Sequence, residues 1–241
     1  MRLIHAELLK IRTAPRTTFG LVLALLAIVG LGAAGTSYDV ANGFFEDPET
    51  EIVGIGHTAT IFALILGILV ITWDYRHGTI IQTLLAAPRR ERVVGAKLLV
   101  AGVLAAALAV LALALAILIA EIWLGDDFEL RGENWSQMFR LVVATVLWAV
   151  LGLGLGATLR TQVGALITAL VWFLVVESIL TSIGWKIGEI AQYLPGEVLG
   201  DFAGTGRPEE FSRATAGLLA FVYAFGLAAV GTLFVLRRDV A

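Results

Sequence analysis

Six apolar runs constrain what this chain can fold into more than any other feature. They cover approximately Phe19–Gly35, His57–Trp73, Leu98–Ile122, Leu141–Leu159, Val163–Ile183 and Ala216–Leu236. Runs of about 18 or more apolar residues read as membrane spans, because roughly 20 helical residues cross the hydrocarbon core. Helix is the natural assignment, since a segment in lipid must satisfy its own backbone hydrogen bonds. A transmembrane barrel would instead show alternating segments of about ten residues, and none occurs. The mean hydropathy of +0.89 agrees, as does a charged fraction of 15%, against about a quarter in soluble domains. The expectation is an all-α membrane protein: residues 1–241 form a single transmembrane domain of six helices.

Charge predicts the orientation. The net charge of −3 is uninformative as a total, because the two signs are segregated along the chain. Lys and Arg concentrate in loops that remain in the cytoplasm. Arg2, Lys10, Arg12 and Arg16 precede the first run, and Arg76, Arg89, Arg90, Arg92 and Lys97 lie between the second and third. Arg160 occupies the short turn after the fourth run, and Arg237 and Arg238 follow the sixth. The intervening loops carry Asp39, Glu46, Asp47, Glu49 and Glu51, then Asp126, Asp127, Glu129 and Glu133 against Arg131 and Arg140. This alternation predicts a multi-pass protein of the plasma (inner) membrane with both termini cytoplasmic. Trp73 and Tyr75 fall at one inner boundary, and Trp123, Trp135 and Trp185 near outer ones, as an interfacial aromatic belt would place them.

The segment "DYRHGTIIQTLLAAPRRERVVGAK", residues 74–97, is therefore expected to face the cytoplasm. Ile80, Ile81, Leu84 and Leu85 recur at helical spacing, Thr79 can cap the helix, and Pro88 ends it. A short amphipathic helix followed by a basic elbow is predicted. One use for it is contact with anionic lipid; the other is docking of a cytoplasmic partner. A second amphipathic element, residues 1–17, precedes the first span, with Leu3, Ile4, Leu8 and Ile11 on one face. Glu7 sits beside that face, where a carboxylate is costly unless paired. Arg76, Lys97 and the local Lys10 are its candidate partners.

Taken together, "ELLKIR" before the first span and the 74–97 segment after the second resemble the permease of a type-2 ATP-binding-cassette transporter. The family pattern has an acidic residue, three residues, Gly-Thr, a short helix, Pro, Arg and a Lys opening the third span. Asp74, Gly78, Thr79, Pro88, Arg92 and Lys97 match it, and Glu7 with Lys10 matches the family's N-terminal acidic–basic pair. Asp74 stands where Glu is more usual, and Gln82 where an acidic residue is common. The resemblance implies that Asp74, Arg76, Gly78, Thr79, Gln82, Pro88, Arg89, Arg90, Arg92 and Lys97 form a coupling loop. That loop would dock a separate cytoplasmic nucleotide-binding ATPase, which would carry the ATP and Mg. The resemblance also implies a second permease copy, identical or related.

This chain itself shows no nucleotide site. A phosphate-cradling loop needs GxxxxGK[ST], and no match occurs. "GLGLGATLR" at residues 152–160 is Gly-rich but lies in an apolar run, where Gly152 and Gly156 suit a helix-packing face. His5, His57 and His77 lack metal-ligand spacing, and no Ser, His and acid set is placed for nucleophilic catalysis. No cofactor and no nucleic-acid partner are expected, and enzymatic activity is not predicted.

Glu177 is the carboxylate clearly inside an apolar run, roughly 21 Å along its helix from Val163. With Thr181 four residues on, it is a candidate pathway group, or else a paired structural residue. It also supports an alternative, a transporter or channel acting without an ATPase. Residues 184–213 read as an external re-entrant or interfacial segment of two short helices interrupted at Pro195 and Gly196.

Overall fold

The computed structural model describes residues 7, 15–45, 47–76, 78, 90–125, 128–183, 188–205 and 212–237. Among these the regular structure is all helix, with no strand. Helix α1 (Pro15–Ala41) leads to α2 (Pro48–Ile55), which continues through a single turn at Gly56–Thr58 into α3 (Ala59–Arg76). Then come α4 (Arg90–Leu124) and α5 (Gly132–Leu159). After a two-residue turn, α6 (Gln162–Leu170) widens into a π-helical segment, Val171–Val176, before α7 (Glu177–Ser182). A 3₁₀ segment (Gly188–Tyr193), α8 (Pro195–Ala203) and α9 (Arg213–Arg237) complete the order.

Six stretches of these helices are long and apolar enough to cross a membrane: Thr17–Ala41, Pro48–Arg76, Arg92–Leu124, Gly132–Leu159, Gln162–Ser182 and Arg213–Val235. Each expected span is present, and several are longer than the apolar runs. Two corrections follow from this. The first loop, read from residue 36 to 56, is largely helical: α1 runs to Ala41, and Glu49 and Glu51 occupy the first turn of α2. Carboxylates there face unpaired amide groups, so charge does not oppose helix at that end. Helix α4 likewise starts at Arg90, ahead of the apolar run. Its 35 residues rise roughly 52 Å at 1.5 Å each, more than the hydrocarbon core requires.

The centre of the bundle is α5. It packs on α3, α9 and α4, while α1 packs on α4. Burial follows: 72% of the fourth span is buried and 61% of the second, against 17% for the first and the fifth. The reason lies in residue size. In lipid, helices associate by close packing, which small residues permit. Ala216, Ala220, Ala224 and Ala228 form such a stripe along α9, all buried. Gly67 and Gly152 let α3 and α5 cross backbone to backbone: a Cβ on Gly152 would lie 2.2 Å from the Leu64 carbonyl oxygen. Gly156 also faces α3, against Ile71, so the packing role expected for Gly152 and Gly156 holds.

Contacts bring the end of α3, the start of α4, the α5–α6 turn and the last turn of α9 to one end of the bundle. That end carries Arg76, Lys97, Arg160 and Arg237, whereas Asp39, Glu49, Glu51, Glu133 and Glu197 lie at the other. They are called the basic and acidic ends below.

Candidate functional site

At the basic end, three chain segments meet on one ammonium group. Lys97, the residue immediately before the apolar run of α4, is 1% exposed. Its Nζ lies 2.7 Å from Glu7 Oε2 and 2.7 Å from Asp74 Oδ2. It also donates to the Val70 carbonyl at 3.0 Å. An ammonium has three N–H donors, and here each has an acceptor. Both carboxylates are buried too, Asp74 at 0% and Glu7 at 5% exposure. A charge this far from water persists only when paired and hydrogen-bonded. Of the candidate partners for Glu7, Lys97 meets it directly. Lys10 lies outside the described residues, and Arg76 instead donates to Gln162 Oε1 at 3.2 Å.

Neighbouring contacts stitch the rest of that end. Arg160 adopts φ 58°, uncommon for a residue with a Cβ, and ends α5 with its amide bonded to the Gly156 carbonyl at 2.9 Å. Its guanidinium donates to the Phe234 carbonyl of α9 and sits 6.0 Å from the Tyr75 ring centroid, within cation–π range. Spans two, four, five and six are thus joined by Tyr75, Arg76, Arg160, Gln162 and Phe234. The sequence marked Arg160 only as a lone basic residue in a turn; nothing local disclosed its partners.

The rest of the coupling loop is only partly placed. Gly78 forms a turn with φ +66°, and Arg92 is exposed on the first turns of α4. Thr79, Gln82, Pro88 and Arg89 lie outside the described residues, as does the Arg90 side chain. The predicted short helix between them, most of the N-terminal segment and Trp185 lie outside as well.

Towards the acidic end, Glu177 is 4% exposed. Its Oε1 accepts from Trp172 Nε1 at 2.7 Å, and its Oε2 accepts from the Gly196 amide at 2.9 Å. Trp172 and Glu177 are five residues apart, and the π-helical turn between them brings both side chains together. Gly196 is the second residue of α8, so the carboxylate meets one of that helix's unpaired amides. Pro195 and Gly196 do interrupt the 184–213 segment, but they also open α8, with Pro195 in the first turn. A first-turn proline loses no helical bond.

Thr181, four residues on, donates its hydroxyl to the Ser178 carbonyl at 3.1 Å. Ser178 is the residue that shares a cavity of about 310 Å³ with Glu177, His57, Trp148, Phe173 and Glu197. Sequence reasoning passed over Trp148 and gave His57 no role beyond exclusion as a metal ligand. Among the described residues, no group of three or more His, Asp or Glu could hold a metal ion.

Six candidate spans around a small-residue core, with charged groups buried at both ends, define a polytopic helical membrane protein. No family model matches the sequence, and no curated protein matches it.

Proposed function

We propose that this chain is the membrane-spanning permease subunit of a type-2 ATP-binding-cassette transporter. It exports a hydrophobic or amphipathic substrate with ATP hydrolysed by a separate nucleotide-binding subunit. The observation that carries this reading is the Lys97 cluster. It joins the segment before the first span (Glu7), the end of the second (Asp74) and the start of the third (Lys97) at 2.7 Å contacts. Those three residues are also ones on which the family resemblance rests. A partner docked on the 78–92 loop would push on a rim locked to spans two and three, so motion there would reach the membrane.

The charge pattern supports a cytoplasmic basic end with both termini on that side, in the plasma membrane. The first and fifth spans leave most of their apolar surface uncovered, which suits contact with lipid and with a second permease copy. ATP and Mg belong to the partner. A second reading, an ATPase-independent transporter or channel, is favoured by one observation, the buried Glu177 inside a span.

Gentle purification of the tagged protein from its native membrane tests the proposal. A stoichiometric ATPase should co-purify and be released by the combined change R89A, R90A and R92A. Transport that persists without ATP in that variant would sink the docking idea and leave the second reading.

A further inference from the structure

The polar cavity beside Glu177 has the features of a ligand site. Two carboxylates, Glu177 and Glu197, line it, and among the described residues the lining includes no Lys or Arg. Glu177 spends one acceptor position of each oxygen on Trp172 and Gly196, and a carboxylate has about four. A second observation is independent of the acids. Trp148 lines the same cavity at 6% exposure, and its indole N–H has no hydrogen-bond partner among the described residues. Buried donors are rarely left unpaired, so an acceptor belongs there. Trp148 and Phe173 meet edge to face with centroids 4.5 Å apart, and aromatic rings of this kind attract cations.

Phe173 also borders a second cavity, of about 510 Å³, lined by apolar groups including Leu151, Leu155, Trp172 and Leu227. The two cavities therefore adjoin, one acidic and one oily. We propose that they bind an amphipathic ammonium compound with an oxygen near its head. The cation pairs with Glu177 and Glu197, the oxygen accepts from Trp148, and the hydrocarbon lies past Phe173 in the apolar cavity. This inference stands apart from the transport reading, since binding needs neither nucleotide nor a second subunit.

The test uses the full chain in dodecyl maltoside at pH 8, with native mass spectrometry counting bound probe. The probes are N-dodecylethanolamine, 2-dodecyloxyethanol (oxygen without charge) and dodecylamine (charge without oxygen). N-dodecylethanolamine should bind saturably and about tenfold more tightly than 2-dodecyloxyethanol, the scale of one charged hydrogen bond. Glu177→Gln should remove that advantage. Because this change also touches the Gly196 contact, Glu197→Gln provides a second variant, expected to weaken both amines and leave 2-dodecyloxyethanol unaffected. Trp148→Phe should weaken N-dodecylethanolamine and spare dodecylamine. Equal binding of charged and uncharged probes, no saturable binding, or indifference of the amines to both carboxylate changes would overturn the proposal.

Discussion

Replacing Lys97 with methionine is the sharpest probe of the basic end. Methionine keeps the unbranched stem in its packed position and removes only the ammonium. At an effective dielectric constant of about 20, unit charges 2.7 Å apart attract by about 6 kcal/mol. Two such attractions and the Val70 bond offset a desolvation cost of several kcal/mol for each of three buried ions. Most of the gross attraction is therefore cancelled. What the variant exposes is the other half of the balance: two carboxylates left in a buried site without their shared cation. Breaking a buried pair in this way costs about 3–5 kcal/mol. The assay is unfolding by SDS titration of the purified protein, followed by circular dichroism. Lys97→Met should lose about 3–5 kcal/mol. The triple variant Lys97→Met, Glu7→Gln, Asp74→Asn should recover most of that loss, since neutral groups of the same shape carry no ionic desolvation cost. Wild-type stability for Lys97→Met, or a triple variant weaker than the single one, would refute the electrostatic argument.

Three further outcomes follow from the packing. A Cβ on Gly152 would lie 2.2 Å from the Leu64 carbonyl oxygen, where ordinary contact begins at 3.4 Å, so α3 and α5 must separate by about 1.2 Å (3.4 − 2.2). Gly152→Ala should therefore lose about 1–3 kcal/mol in the same titration, whereas Gly226→Ala, with nothing within 4 Å, should be neutral or slightly stabilising. Arg160→Gly should be more stable than Arg160→Ala by about 1 kcal/mol, because both lose the Phe234 and Tyr75 contacts but only alanine keeps the strain of positive φ. Gly196→Ala would place a Cβ 2.0 Å from Glu177 Oε2; amide hydrogen exchange across Pro195–Ala203 should accelerate, and unchanged protection would show that the carboxylate does not hold α8.

Six spans could be read from hydropathy because a helix in lipid needs only length and apolarity, both local properties. Their exact ends could not. Glu49 and Glu51 look like loop residues, yet they occupy the first turn of α2, where charge and helix are compatible. The need for a partner at Glu7 was legible from burial cost alone. The contact with Lys97 was not, since it depends on how α3 and α4 bring residues 74 and 97 to one point. At Glu177 the sequence announced a costly intramembrane acid but not the groups that meet it. Trp172 lies five residues before it, and the π-helical turn at Val171–Val176 is what brings the two side chains together. Trp148 carried no sequence mark at all, because its unpaired N–H exists only once α5 and the π-helical segment enclose a cavity. Local chemistry thus settles which segments enter the membrane and which charges will be expensive there. Only the tertiary arrangement decides which distant group meets each expense, because hydrogen bonds of about 3 Å are set by packing that spans 90 residues of chain in the case of Glu7 and Lys97.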